Sequence, residues 1–386
     1  MPPNLRSKKV LTREELLAHQ QAIRAGPVNT SGLPALPTEL LLEIISYFPT
    51  IRVPATSARN VEVFPGIYLQ RTKVLRTLSQ TCKSLRGMFL PLSWERIEPC
   101  ASDRVGNNRR SSTRAGIPRL WEKVLATDLV RQLEIVTIRN PSLASYVKVV
   151  NVILTTFSSD TVVPELARCL ALLPNLHTFQ ILGTSTPGGA ALSTFQAKTY
   201  PTVRTLVLPS SALAIAKSFP HITRLYSLST PDRMIIPKVL LEWCTDLEEF
   251  HGFEKMEYWM RIDQWLPMIY HIVDKLTKIQ VMILDVSNAT LTVDVIKPLA
   301  RLPALHRIEL ITHCNRLGHQ SLKVSEITDA AKDVLRRPLS PDKDPVDRVF
   351  VLRFMDGVET MAIPPDTDGT PPNARARCPC EYCRDD

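Results

Sequence analysis

A chain of 386 residues with 44% hydrophobic content is longer than one small core organises, and it predicts two or more packed units. Its 47 Lys and Arg against 38 Asp and Glu leave a net charge of +9, which is modest for this length and, at 6% aromatic content, argues against nucleic acid as the partner. No apolar run approaches the roughly 20 residues of a membrane span, and the basic N-terminal stretch holds no apolar core. No membrane partner and no secretory signal are therefore expected, and the chain is assigned to the cytoplasm or nucleus. Cys82, Cys100, Cys169, Cys244 and Cys314 sit singly in or beside apolar segments, as buried free thiols of a reducing compartment do.

In chain order, residues 1–32 read as a flexible arm. They hold a short helix over Thr12 to Ile23 and then Gly26-Pro27 and Thr30-Ser31-Gly32. Pro37 sets the first turn of the next helix, because the N–H it lacks is one that a helix start leaves unpaired. Leu40, Leu41, Ile44, Ile45 and Phe48 fall at helical spacing on one face, with Glu39, Glu43 and Ser46 on the other. A second stripe follows at Val74, Leu75, Leu78, Cys82 and Leu85, and a third apolar cluster at Met88, Phe89, Leu92 and Trp94. Helices this short are marginal alone in water, so they pack together.

The order of these residues carries a resemblance. Leu-Pro-x-Glu-Leu-Leu-x-x-Ile-Ile-Ser-Tyr-Phe from Leu36, then Leu-x-x-Leu-Ser-x-x-Cys-Lys-Ser-Leu-Arg from Leu75, then Ser-Trp-Glu-Arg-Ile to Ile97 resembles an F-box over residues 33–97. One departure is residues 49–73, with Pro49, Pro54, Pro65 and Gly66, which stand where the family has a short turn. The resemblance implies docking onto the Skp-type adaptor of a cullin-RING (SCF) ubiquitin ligase. The positions matching the family's adaptor contacts are Leu36, Pro37, Leu40, Leu41, Ile44, Leu75 and Leu78, with Trp94 steadying the third helix.

Residues 98–145 read as a linker and a helix. Arg104, Arg109, Arg110, Arg114 and Arg119 are separated by Asn, Gly and Ser, as in a solvated loop, with a nuclear-import or anion-binding patch as the alternative. Trp121, Val124, Leu125, Leu129, Leu133 and Val136 then suit a helix from Leu120 to Ile138.

From residue 146 to 362 a loose repeat takes over. Apolar residues recur at positions 1, 4 and 6 of each unit: Val147, Val150 and Val152; Leu176, Phe179 and Ile181; Val203, Leu206 and Leu208; Ile279, Met282 and Leu284; Leu305, Ile308 and Leu310, with weaker units at Ile222 and Leu247. Several are preceded by an apolar residue and proline, as in Leu173-Pro174, Tyr200-Pro201, Phe219-Pro220 and Leu302-Pro303. Each unit reads as one short strand and one covering helix, such as Glu165–Leu173, Ala212–Phe219, Val239–Trp243 and Val293–Leu302, with a longer helical insert from Met256 to Leu276. The steps of 19 to 32 residues resemble a degenerate leucine-rich-repeat array. Thr184, Ser211, Thr230 and Ser287 stand where that family has Asn or Cys bonding the turn backbone. Arg348–Phe354 reads as a closing strand.

The fold class expected is α/β: an N-terminal three-helix F-box followed by an irregular leucine-rich-repeat-like solenoid of short parallel strands and helices. In such proteins the repeats recruit a protein substrate. Strand positions 3 and 5 on the concave face are Thr178, Gln180, Thr205, Val207, Arg224, Tyr226, Glu249, His251, Arg307 and Glu309. Residues 363–386 read as a disordered tail. Its Cys378, Cys380 and Cys383 lack the fourth ligand a closed zinc site needs, so no metal and no cofactor is expected. With no phosphate loop, His-Glu-x-x-His pair or nucleophile elbow, the chain reads as no enzyme. The combination resembles basidiomycete-type F-box proteins, substrate receptors of the ligase; the alternative is a repeat scaffold without ligase attachment.

Overall fold

The first helix, α1, spans Thr38–Ser46, and Pro37 stands at its N-cap, where its carbonyl accepts the Leu41 N–H at 3.2 Å. In the computed structural model, which describes residues 32–54, 64–102, 120–184, 192–228, 239–252, 262–286, 292–312, 322–337, 347–354 and 357–364, α1 packs on a pair of helices. These are α2, Ile67–Thr81, and α3, Lys83–Trp94. The stripe expected to run on through Cys82 is therefore broken there. Cys82 is extended (φ −152°, ψ 167°), and Thr81 Oγ donates to the Leu78 carbonyl at 2.6 Å, using an acceptor the helix would otherwise need. The segment 49–73, expected as a loop, already includes the first turns of α2. Leu41 and Ile45 of α1, Leu75 of α2, and Leu85 and Phe89 of α3 form the small core of this unit.

Ten strands then make one sheet. They are β2 (Arg96–Ile97), β4 (Val149–Leu154), β5 (Thr178–Thr184), β6 (Thr205–Leu208), β7 (Arg224–Ser227), β8 (Glu249–His251), β9 (Val281–Asp285), β10 (Arg307–Ile311), β11 (Arg348–Phe354) and β12 (Gly357–Ile363). Two short strands, β1 (Phe64–Pro65) and β3 (Ala101–Ser102), pair separately. The ten lie side by side in chain order, each parallel to the last, except that β11 and β12 form an antiparallel hairpin. All seven repeat units form strands, each starting two residues after the unit's first apolar residue, because the preceding four residues make a tight turn. Leu176 N–H donates to Leu173 O at 3.3 Å and Val203 N–H to Tyr200 O at 3.4 Å, with proline as the second turn residue, where its fixed φ fits.

One hydrogen-bond motif repeats along the strand starts. The Lys148 carbonyl accepts two successive N–H groups, from His177 and Thr178, at 3.0 and 3.1 Å. His177, Arg204, Thr223, Glu248 and Gln280 do the same for the next strand. The series begins at Glu95, whose carbonyl accepts from Lys148 and Val149. Residue 97, expected to end the first unit, thus lies inside the sheet, and the helical unit is hydrogen-bonded to the strands rather than strung from them.

Positions 1, 4 and 6 face the helices. Val150, Phe179, Leu206, Leu225, Phe250, Met282 and Ile308 stand in register across neighbouring strands and are buried in the main core. Each such side chain contributes about 1.5–3 kcal/mol of burial. The cover comes from α4 (Leu120–Glu134, continued by a wider turn over Ile135–Arg139), α5 (Ser159–Leu170), α6 (Ser193–Gln196), α7 (Ile262–Lys275), α8 (Val293–Ile296) and α9 (Leu322–Arg336), with stretches of tighter helix at Ser210–Ser218 and Lys297–Arg301. Thr184 and Ser211 bond each other at 3.1 Å across neighbouring units rather than the turn backbone. The strand β12 was not expected; its alternating exposed residues include only one fully buried apolar anchor, Ile363.

Burial pushes the Cys169 thiol up to about 11 and the Cys244 thiol up to about 12, and raises that of Cys100 as well, so all three stay protonated and unreactive at neutral pH. Iodoacetamide at pH 8 is therefore expected to label half-buried Cys82 and to reach Cys100, Cys169 and Cys244 only after denaturation, as read by peptide mass mapping. The arm 1–31, the five arginines from Arg104 to Arg119, Cys314 and the tail from 365 lie outside the described residues.

Candidate functional site

Helix α1 carries two apolar stripes, not one. Leu41 and Ile45 point into the small core, while Leu40 and Ile44, one residue earlier in each case, are 52% and 44% exposed. Leu36 and Tyr47 continue the outer stripe, and Leu33 and Pro37 are exposed beside it. An amphipathic helix on a folded unit normally needs one buried stripe, so the second stripe, facing water, is more apolar surface than folding of this unit requires. Of the seven residues expected to contact an adaptor, Leu36, Pro37, Leu40 and Ile44 lie on this surface. Leu41 and Leu75, at 4% and 1% exposure, hold the three helices together and are not available to a partner; Leu78 is half-buried against them. Trp94 is buried in the main core, with the Arg76 guanidinium 4.9 Å from its ring centroid.

The second sheet face assembles the other expected residues in two registered rows. Thr178, Thr205, Arg224 and Glu249 are successive neighbours in one, which continues through Val281 to Arg307. Gln180, Val207, Tyr226 and His251 follow in the other, which continues through Ile283 to Glu309. Comparison with known protein families and with curated proteins finds no match for the chain. What these rows do must therefore be read from their geometry.

That geometry corrects the expectation of an open surface. Thr178, Gln180, Thr205, Tyr226, His251 and Glu309 are buried; Arg224, Glu249 and Arg307 alone of the expected set reach solvent. Over the first strands the cover is the peptide just after α1: Gln180 Nε2 donates to the Arg52 carbonyl at 3.2 Å, and Ile51 packs with Ile153, Leu182, Cys100 and Leu125. Farther along, Val207, Tyr226 and Ile283 pack together with Leu228 and Ile311. Burial raises the Tyr226 hydroxyl pKa, and its hydrogen bond to Glu249 adds to the effect. Glu249 also pairs with Arg224 at 3.5 Å, and Glu309 is held between Arg307 and Arg353.

Three residues that sequence reasoning missed, Arg96, Glu98 and Asn151, tie the units together. Arg96 Nε donates to Glu98 Oε1 at 2.6 Å, and Asn151 Nδ2 donates to the same oxygen at 2.8 Å. Gln180 Nε2 donates to Asn151 Oδ1 at 2.8 Å, while Arg96 also donates to the Ile51 carbonyl. The signal was the single amide at Asn151 in an otherwise apolar strand, since a buried amide requires partners. Glu98→Ala leaves Arg96 and Asn151 without their shared acceptor, and a loss of about 3 kcal/mol in unfolding free energy is expected in urea titration.

Where the helical unit meets the strand starts, a cavity of about 480 Å³ opens. Thr50, Val53, Arg71, Glu95 and Arg96 line it from one side. Val149, His177, Thr178, Thr205 and Arg224 line it from the sheet. Burial lowers the pKa of His177, and Lys148 beside it lowers it further.

Proposed function

We propose that the chain is an F-box-type substrate receptor of an SCF cullin-RING ubiquitin ligase, with a degenerate leucine-rich-repeat solenoid behind its adaptor-docking unit. The observation that carries this reading is the outer stripe of Leu36, Leu40, Ile44 and Tyr47, apolar and exposed on the helix that begins with the Leu-Pro signature. Apolar anchors on a small rigid helical unit, offered to a groove, are the residues that dominate such interfaces. The chain brings recognition and the partner chains bring the chemistry, so it acts as a receptor and not as an enzyme.

A receptor of this kind needs its docking helix fixed relative to the surface that holds substrate. Two features support that: the hydrogen bonds from Lys148 and Val149 to the Glu95 carbonyl, and the Arg96–Glu98–Asn151–Gln180 chain. The substrate side is the solvent-reaching part of the second face, where Arg224, Glu249, Arg307 and Arg353 present mixed charge to a protein partner. The test is retention of a purified Skp-type adaptor by the immobilised chain at micromolar concentration. The intact protein is expected to retain it and the Leu36→Ala/Pro37→Ala protein to lose most of it. Equal retention, or none by either, returns the chain to a repeat scaffold without ligase attachment.

A further inference from the structure

The cavity between the helical unit and the sheet holds three guanidinium groups, and their partners are unequal. Arg96 is paired with Glu98 at 2.6 Å, and Arg224 with Glu249 at 3.5 Å. The cavity's own carboxylate, Glu95, is taken by Lys148 at 3.1 Å. Arg71, reaching in from α2, makes no hydrogen bond and no ion pair with any described residue, yet it is half-buried. Burial acts most strongly against its charge and the neighbouring Arg96 adds to it, while Glu95 and Glu98 favour the charge without forming an ion pair with it. A guanidinium stays charged under all ordinary conditions, so a half-buried one without a partner is a cost the fold carries unless something anionic enters.

The remaining lining says what kind of anion. Thr50, Thr178 and Thr205 line the cavity with Arg71 and carry hydroxyl donors; Thr178 Oγ1 lies 2.8 Å from His177 Nδ1, so it donates to an anion only when that nitrogen carries the proton. Donors arriving from α2, from the peptide after α1 and from two strands suit a tetrahedral oxyanion, whose oxygens point in several directions, better than a planar carboxylate. A guanidinium fork grips such an anion through two parallel N–H donors. The volume leaves room for a small organic body beside the anion, while no Phe, Tyr or Trp among the described lining residues offers a nucleobase a stacking surface. The roof at Thr50 and Val53 and the wall at Arg71 bound the space, which favours a small molecule over an extended chain.

We propose that this cavity binds phosphate, free or as the monoester of a small non-aromatic molecule, with Arg71 as its principal ligand. Thr50 and Arg71 belong to the helical unit and Thr178, Thr205 and Arg224 to the strands, so the bound anion bridges the helical unit and the sheet. This site is independent of adaptor binding and stands whether or not that reading holds.

The experiment uses the full chain, with thermal unfolding and calorimetric titration of inorganic phosphate and of glycerol 2-phosphate, against acetate at matched ionic strength. Ligand that binds only the folded state raises the melting temperature in proportion to its saturation. The expected result is a rise with either phosphate probe and none with acetate. Arg71→Gln is expected to weaken binding at least tenfold and not to lower the ligand-free melting temperature, because it removes a half-buried charge that bonds no described residue. Thr205→Val, which keeps the buried volume, is expected to weaken binding several-fold. The proposal is overturned if acetate and phosphate act alike, if neither phosphate probe binds, if both variants bind as the parent does, or if a phosphoserine peptide binds where the small probes do not.

Discussion

Changing Leu40 and Ile44 together to Asp is expected to weaken adaptor binding about a thousand-fold and to leave the stability of the chain nearly unchanged. Both side chains are about half exposed, so their replacement removes little buried contact within the protein. At an interface, however, two buried apolar anchors carry on the order of 2 kcal/mol each, and the pair amounts to about 4 kcal/mol, or roughly three powers of ten in Kd. The neighbouring pair gives the opposite pattern. Leu41→Ala and Ile45→Ala each empty the small core and are expected to cost about 2–5 kcal/mol of stability. They lower adaptor binding only as far as the unit unfolds. Side-by-side titration calorimetry and urea unfolding of the two pairs separates a docking stripe from a packing stripe; equal effects on both measurements from both pairs would contradict the assignment.

The largest stability loss is expected from Phe179→Ala. This β5 residue is fully buried, and its ring lies 5.9 Å from those of both Phe195 and Phe219. Tyr200 stacks on Phe219 at 4.9 Å and donates its hydroxyl to the Ala167 carbonyl at 3.0 Å, so the cluster fastens β5 to α5, α6 and the end of the tighter helix at Ser210–Ser218. Removing the central ring leaves a cavity that three tethered rings cannot collapse to fill, and about 3–5 kcal/mol is expected. Val358→Ala, on the exposed part of β12, serves as the comparison and is expected to change stability by less than about 0.5 kcal/mol. A Phe179→Ala loss as small as that of Val358→Ala would mean that the aromatic cluster does not form.

The repeat was legible because apolar residues recur at positions 1, 4 and 6 of each unit, even though β4, β5 and β6 are buried on both faces. Val147, Leu176, Val203, Ile279 and Leu305 announced strands that begin two residues later, and the prolines at 174, 201 and 303 marked the turns. Even the weak units at Ile222 and Leu247 formed β7 and β8. The break at Cys82 was not legible, since the apolar spacing from Val74 to Leu85 continues across it. Nor was β12, whose pairing is set by the hairpin with β11 and not by its own composition.

The site divided in the same way. Leu36, Leu40 and Ile44 could be picked out by pattern, but pattern could not separate them from Leu41 and Leu75, because helical spacing shows that a face is apolar and not which partner covers it. On the sheet, Gln180 and Tyr226 are polar enough to face water. They are buried because Arg52, 128 residues from Gln180 in sequence, lies over one, and because Val207 and Ile283 pack beside the other. Contacts over such separations leave no trace in local periodicity. The cavity at Arg71 was equally hidden, since its charges come from a helix and from strands that only the fold brings together.

The central claim is that the outer stripe of α1 docks an adaptor, and light scattering on a size-exclusion column tests it without mutation. The full chain mixed with an equimolar Skp-type adaptor at micromolar concentration is expected to elute as one peak with the summed mass of one copy of each. Two separate peaks at the masses of the unmixed proteins would contradict it.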